Sequence, residues 1–228
     1  MSPYAEIAVT TNYSFLRGAS HPRELVQTAS ELGLAAIGIA DRNTLAGVVR
    51  AYAAHQELKG HKPKLLVGAR LVFTDGTPDI LAYPTNRAAY ANLCRLLSAG
   101  KSHAPKGECY LRFDDLLNWQ DGLLMVVIPP HPQAPIFTTE VPQSFWNKNK
   151  TTSQILVQPF SNSELTTILE TLKTVAANRT WLGVSMPHHG DDQKRLGFFK
   201  HLSVSTSVPL LATNDVLYHC PEIGRAHV

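Results

Sequence analysis

NYSFLRGASHPRELVQTASELGLAAIGIADRNTLAG, residues 12–47, contains the elements that decide the fold. Ser20 as the cap and Pro22 in the first turn predict a helix start, and Gly33 follows the predicted helix end. Residues 34–40 form an unbroken apolar run that ends at an acidic residue, which is typical of a parallel strand covered on both faces. The stretch therefore predicts a helix followed by a buried strand with a functional side chain at its carboxyl end.

The rest of the chain continues this alternation of strands and helices, which predicts an α/β fold, either a barrel or a doubly wound sheet. Asp75 and Gly76 predict a hairpin turn. Residues 129–160 are rich in proline and have weak periodicity, so we expect an irregular excursion there. Strands are predicted at 6–10, 34–40, 65–73, 79–83, 123–128, 181–185 and 209–212, and further helices at 44–58, 86–98, 114–119, 162–177 and 191–203.

Composition indicates a globular protein of the cytoplasm. The 228 residues are 44% hydrophobic and 17% charged, and the net charge of +3 is too small to indicate a strong nucleic-acid interface. The three cysteines have no C-x-x-C spacing, which argues against a zinc knuckle or a disulfide framework. No basic and apolar leader or membrane-length apolar run is present, so we expect neither secretion nor membrane insertion.

Two acidic residues at strand ends are the first candidates for chemistry. Asp41 ends the 34–40 run, and Asp215 follows the last predicted strand. Two carboxylates alone do not hold a hydrolytic metal, which needs three or more ligands and an open position. His188 and His189 could add ligands, although a polar loop capped by Asp191 explains them more simply. Neither a phosphate-cradling glycine loop nor a nucleophile elbow occurs.

Five segments carry a family resemblance: NYSFLRGASHPRELV (12–26), GIADRNTLAGVVRAY (38–52), LLVGARL (65–71), NLCRLLS (92–98) and ATNDVLYHCPE (212–222). Together they resemble the N-terminal polymerase-and-histidinol-phosphatase (PHP) domain of bacterial C-family DNA polymerases, closest to the error-prone branch. The resemblance implies a PHP-type distorted (β/α)7 barrel formed by residues 1–222 as a single domain. Residues 223–228, IGRAHV, match one reading frame of a common sequencing adapter, so we expect a non-native tail left by truncation.

The resemblance also implies that most of the family's metal ligands are replaced, and of the expected set only Asp41 and Asp215 are clearly retained. His219 could substitute for a lost histidine. Arginines at the replaced positions would repel a cation and could pair with the two aspartates, so we expect no metal in this domain. The substituted positions are Ala8 and Thr10 for two histidines, Arg17 for an aspartate, Arg42 for a histidine, Arg70 for a glutamate, Asp79 near a histidine and Leu217 for a histidine.

The function implied is a noncatalytic scaffold within an error-prone DNA polymerase that copies damaged template. Magnesium would bind in the polymerase palm, which lies outside this sequence, and this chain would need no cofactor. The implied partners are the remainder of the polymerase chain, DNA through that chain, the replication clamp and mutagenesis accessory proteins, with no membrane. The alternatives are a metal-dependent phosphoesterase or 3'-5' exonuclease in the barrel, and a free-standing interaction module.

Overall fold

The computed structural model describes residues 4–130, 162–188 and 190–225. These residues form seven strands and seven helices. The strands are β1 (Ala5–Val9), β2 (Ala36–Arg42), β3 (Lys64–Leu71), β4 (Asp79–Pro84), β5 (Leu123–Ile128), β6 (Thr180–Val184) and β7 (Leu210–Ala212). The helices are α1 (Pro22–Glu31), α2 (Ala46–Glu57), α3 (Arg87–Ser102), α4 (Phe113–Trp119), α5 (Asn162–Val175), α6 (Asp192–Thr206) and α7 (Pro221–Arg225).

The strands form one sheet whose spatial order follows the chain from β1 to β7. Neighbours pair in parallel from β1 to β3 and from β5 to β7, whereas β4 runs antiparallel to both β3 and β5. The hairpin predicted at Asp75 and Gly76 is confirmed, and Gly76 takes the left-handed conformation that such a turn requires. The sheet curls so that β1 meets the segment after β7, where Val9 and Val216 form a single parallel bridge. The expected α/β barrel is therefore confirmed as a curled sheet with a seam.

One buried carboxylate links the two sides of the seam. Glu6 of β1 is 2% exposed. It accepts hydrogen bonds from Thr213 Oγ1 at 2.5 Å and from the Asn214 backbone N–H at 2.8 Å. Its other donors are the Ala8 backbone N–H at 2.8 Å and the Tyr4 hydroxyl at 2.7 Å. Because both carboxylate oxygens are used twice, Glu6 ties β1 to the end of β7 without a ladder of backbone pairs.

Apolar side chains fill both faces of the curled sheet. One cluster packs α3, α4, α5 and α6 against the outer face, and another packs α1 and α2 against β1 and β2. Inside the curl, the Tyr83 ring lies against two glycines and its hydroxyl donates to the Ile7 carbonyl. An added Cβ would lie 2.6 Å from Tyr83 Oη at Gly38 and 2.5 Å from the ring at Gly68. The glycines of β2 and β3 thus make room for this ring.

The helix and strand limits differ from the predictions at two informative places. Helix α1 is capped by His21, whose backbone N–H donates to Glu24 Oε2 at 2.8 Å. The prediction that Ser20 caps this helix is wrong, because the Ser20 hydroxyl is bonded to His219. Strand β2 extends through Arg42, so the acidic residue before it lies inside the strand.

The predicted excursion at 129–160 falls almost entirely outside the described residues, as do residues 226–228 of the predicted tail. Helix α7 crosses the position at which the domain was expected to end. None of the helices in the described parts of the chain has both the length and the apolar character of a membrane span.

Candidate functional site

Five charged side chains lie at one edge of the sheet, and we call this group the cup: Arg17, Asp41, Arg70, Asp79 and Asp215. Four of them form ion pairs with one another, and Asp41 bonds to the loop after β1. Asp41 and Arg70 lie near the carboxyl ends of the parallel strands β2 and β3. Asp79 starts β4, which runs the opposite way and therefore begins at the same edge. Asp215 follows β7, and Arg17 reaches in from the loop between β1 and α1. The cup thus occupies the position where α/β barrels place reactive groups.

Arg70 lies at the centre of the cup and is 1% exposed. Its guanidinium donates to Asp79 Oδ2 at 3.2 Å through Nη1 and to Asp215 Oδ1 through Nη2. Arg17 Nη2 donates to Asp215 Oδ2 at 3.1 Å. Burial and the nearby Arg70 charge lower the pKa of Arg17, while Asp215 and Asp79 oppose that change. Two arginines and two aspartates therefore balance one another's charge.

Asp41 has a different set of partners from those predicted. We expected arginines to pair with it, but its carboxylate accepts from the Thr11 backbone N–H at 2.8 Å, from Thr11 Oγ1 at 2.9 Å and from Ser14 Oγ at 2.7 Å. Burial raises the pKa of Asp41, and these three hydrogen bonds oppose the change. The expected pairing of arginines with Asp41 is therefore wrong, and Asp41 fixes the loop after β1 instead.

Two glycines allow this loop to approach Asp41. An added Cβ at Gly18 would lie 2.0 Å from the Thr11 carbonyl oxygen, and one at Gly47 would lie 2.4 Å from Asp41 Oδ2. Sequence reasoning missed Thr11 and Ser14 as partners of Asp41. The available signal was the hydroxyl-rich segment TTNYS directly after a strand, together with glycines in SFLRGAS and TLAG.

The remaining substituted positions contribute packing or backbone contacts. Ala8 and Thr10 are fully buried, and Thr10 Oγ1 has no hydrogen-bond partner among the described residues. The Leu217 carbonyl accepts from the Ala19 backbone N–H at 2.9 Å. The Arg42 side chain is exposed, while its backbone N–H donates to the Ser14 hydroxyl at 2.9 Å. None of these four residues has a histidine or carboxylate side chain with which to bind a metal ion.

The candidate histidines lie apart from the cup's carboxylates. His219 Nδ1 is 2.8 Å from Ser20 Oγ and 3.7 Å from Glu24 Oε2. Its backbone N–H also donates to Ser20 Oγ at 2.9 Å. His219 therefore joins the turn before α1. His188 is exposed, and His189 lies outside the described residues.

The donor set does not fit a hydrolytic metal centre. Within residues 4–130, 162–188 and 190–225, no three His, Cys, Asp or Glu side chains are placed to bind one metal ion. Asp79 and Asp215 already accept from Arg70, and Asp41 accepts three hydrogen bonds. Such a centre needs at least three free nitrogen, oxygen or sulfur ligands. We therefore derive no reaction step through a metal in the cup.

A curled seven-stranded sheet with a charged cup at its strand ends defines the class of protein. The sequence matches the PHP domain family over residues 6–173, and the chain belongs to that family. Two solved structures share the fold. One is a putative metal-dependent phosphoesterase from Bifidobacterium adolescentis, with a TM-score of 0.56, 16% identity and coverage of 96% of this chain and 89% of that one. The other is an amidohydrolase from Chromobacterium violaceum, with a TM-score of 0.56, 14% identity and coverage of 94% and 87%.

The similar curated sequences are error-prone DNA polymerases. The polymerase of Rhodopseudomonas palustris (strain BisB5) is 49% identical over 96% of this chain and 17% of its own length. The polymerase of Bradyrhizobium sp. (strain ORS 278) is 48% identical over 96% of this chain and 17% of its own length. That of Brucella abortus biovar 1 (strain 9-941) is 43% identical over 97% of this chain and 18% of its own length. The chain therefore spans about a sixth of the length of these relatives.

Proposed function

We propose that this PHP domain is a noncatalytic structural domain of an error-prone DNA polymerase. Similarity to such polymerases along almost the whole chain supports this assignment. The parent protein would perform template-directed DNA synthesis across damage, as part of DNA repair in the cytoplasm. Its magnesium ions would bind in a palm outside this chain. DNA, the replication clamp and mutagenesis accessory proteins would be partners of the parent.

The position of Arg70 carries the noncatalytic part of the proposal. Its buried guanidinium lies between Asp79 and Asp215, so it takes the place of a cation between these carboxylates. Two unit charges of the same sign 4 Å apart repel by about 4 kcal/mol at an effective dielectric constant of about 20. A divalent ion in the cup would face this repulsion and would also have to displace existing ion pairs.

Elemental analysis of the purified 228-residue chain tests the noncatalytic assignment. We expect zinc, manganese and iron well below one atom per chain after dialysis against metal-free buffer. Stoichiometric zinc or manganese that survives dialysis would overturn the assignment. The polymerase assignment is tested separately, by primer extension with the full-length chain that contains this domain.

A phosphoesterase or 3'-5' exonuclease in the barrel is the second candidate, favoured by one observation. A cavity opens beside Asp215 and is also lined by Ser185, Arg195 and Asn214, which are polar groups suited to a phosphate ester. Hydrolysis of single-stranded DNA or of a phosphate monoester by the 228-residue chain, dependent on added manganese, would support it. Loss of that hydrolysis in both Asp41→Asn and Asp215→Asn would place the reaction in the cup.

A further inference from the structure

Three large side chains project into solvent from the loop between β1 and α1. Phe15 is 85% exposed, Leu16 is 92% exposed and Tyr13 is 42% exposed. We call residues 13–16 the apolar tip. Single exposed apolar residues are ordinary on protein surfaces, but a cluster of large ones on one loop marks an interaction surface.

The apolar tip is anchored by hydrogen bonds on both sides of its exposed Phe15 and Leu16 side chains. The polar side chains in and beside the tip point inward: Thr11 and Ser14 bond to Asp41, and Arg17 bonds to Asp215. The backbone turns tightly, with Ser14 N–H donating to the Thr11 carbonyl at 2.9 Å and Arg17 N–H to the Ser14 carbonyl at 3.0 Å. These bonds restrain the backbone around the tip, and such restraint lowers the entropy cost of binding.

Leu16 adds backbone strain to this arrangement. Its φ of +60° lies in the left-handed region, which a residue such as leucine rarely adopts. Strain of this kind persists where the surrounding structure enforces it, and it is concentrated at functional sites. At Leu16 its effect is to turn a large apolar side chain outward.

The segment that leads out of the barrel runs beside the same loop. The Val216 carbonyl accepts from Thr10 N–H at 2.9 Å, and the Leu217 carbonyl accepts from Ala19 N–H at 2.9 Å. Both ends of the loop are thus bonded to the strand of chain that enters α7. The similar polymerases are about six times as long as this chain, so in such a protein the remainder of the chain would follow a segment that is bonded to both ends of this loop. A tethered neighbour has a high effective concentration at such a site.

We propose that the apolar tip docks into an apolar recess on the remainder of the polymerase chain and thereby fixes the PHP domain to the catalytic body. This inference rests on the proposed function and deepens it, because it names the surface through which the scaffold acts. The apolar side chains of the tip favour a protein partner over DNA. Of the two arginines beside the tip, Arg17 is turned inward to Asp215 and Arg42 is exposed, whereas binding of single-stranded DNA combines aromatic stacking with several free cations.

Site-specific photocrosslinking in the full-length polymerase tests the contact directly. A photoreactive amino acid replaces Leu16, and the matched control carries it at Leu32. Leu32 is 69% exposed and follows α1, whose ten residues separate it from the tip by about 15 Å along the helix axis. We expect an intramolecular crosslink from position 16 to residues beyond the PHP domain, and none to the same peptides from position 32. A crosslink from position 16 to a second copy, or no crosslink to the polymerase body, would overturn the proposal.

A double variant, Phe15→Ser with Leu16→Asn, gives a second readout. Asparagine tolerates the left-handed backbone, so the variant removes apolar surface while keeping the loop conformation. We expect the 228-residue chain to unfold at an unchanged denaturant midpoint. In the full-length polymerase, limited proteolysis between the PHP domain and the body should accelerate about tenfold, whereas Leu32→Asn should leave it unchanged.

The outcomes separate this inference from the proposed function. If the full-length chain extends primers but the double variant is cleaved no faster than Leu32→Asn, the docking inference fails alone. If the full-length chain extends no primer, the proposed function fails. Loss of single-stranded DNA binding by the double variant, or loss of a dimer of the 228-residue chain, would assign the tip to DNA or to self-association and overturn the inference.

Discussion

Arg70 has a side chain that is buried almost completely, and its charge is balanced by Asp79 and Asp215. An ion pair of this kind adds little net stability compared with apolar packing, because desolvation offsets attraction. Removing one partner is different, since it leaves the buried charge of Arg70 with less compensation. The stability of the domain therefore depends on both aspartates being present.

Asp215→Asn tests this dependence. The change leaves Arg17 without its carboxylate partner and Arg70 with Asp79 alone, so we expect a loss of about 2–4 kcal/mol in the free energy of unfolding. Chemical denaturation of the 228-residue chain measures it. The matched control is Glu57→Gln, which breaks the exposed pair with Arg23 at 3.3 Å and should cost less than about 1 kcal/mol. Equal effects of the two changes would contradict the role of Asp215 as a partner of the buried Arg70.

Asp41 predicts an unusual dependence of stability on pH. Burial raises its pKa in the folded chain above the ordinary value of 3.8. At a pH between the unfolded pKa and the raised folded pKa, Asp41 keeps its proton in the folded state and loses it in the unfolded state. The contribution of Asp41 to stability therefore falls as pH rises from about 4. It is constant below the unfolded pKa and above the raised folded pKa.

Denaturation from pH 3.5 to 7.5 should therefore show the stability of the wild type declining relative to Asp41→Asn as pH increases. Ser14→Ala removes a hydrogen bond that lowers the pKa of Asp41, so the decline should be steeper in that variant. Parallel curves for the wild type and Asp41→Asn would show that Asp41 titrates alike in both states.

At the scale of single residues, the sequence predicted which residues occupy the cup better than it predicted their partners. The replacements at Arg17 and Arg70 could be located because each lies in a recognisable motif. The hydroxyl donors of Asp41 could not, since Thr11 and Ser14 reach it only through a loop whose approach depends on Gly18 and Gly47. Such contacts depend on tertiary packing, which local patterns do not encode.

At the scale of elements, the seam between β1 and β7 depends on Glu6. Glu6→Gln places an amide where one carboxylate oxygen was, and each oxygen accepts one backbone N–H and one hydroxyl. A hydroxyl can switch from donor to acceptor, but a backbone N–H can only donate. In either orientation of the new amide, its NH2 group would therefore face a backbone N–H, and the two donors could not bond. We expect a loss of about 1–3 kcal/mol in the free energy of unfolding.

Hydrogen exchange locates the effect of Glu6→Gln. The backbone N–H groups of Thr10, Asn214 and the β7 residues should lose protection first, before those of β4 and β5, because the seam would open locally. Thr213→Ser keeps the hydroxyl that bonds Glu6 and is the matched control. Uniform loss of protection throughout the sheet would show that the seam is not a separate unit.

Elements were predictable where strong local signals bound them. Strand β5 has the predicted limits, 123–128, because an apolar run lies between Gly122 and Pro129. The cap of α1 was not predictable, because Ser20 bonds to His219, which is 199 residues away in the chain. Long-range partners of this kind compete with local capping, and the sequence contains no local sign of them.

At the scale of the whole molecule, we expect from the ion pairs of the cup that metals do not stabilise the domain. A ligand stabilises a folded chain only when it binds that state in preference to the unfolded state. We expect EDTA, or a tenfold molar excess of zinc or manganese, to change the thermal midpoint of the 228-residue chain by less than about 1 °C. A rise of about 2–4 °C, which corresponds to about 1 kcal/mol for a chain of this size, would contradict this if EDTA reversed it.

The seam also has a consequence for how the domain is made. Glu6 and Thr213 are separated by 207 residues, so the partners of β1 are among the last parts of the domain to leave the ribosome. At roughly 5–20 residues per second, about 10–40 s pass between the translation of these two residues. During that interval the nascent chain carries an unpaired strand edge, which can pair with other chains. The timing of translation therefore governs how long β1 is open to misassembly.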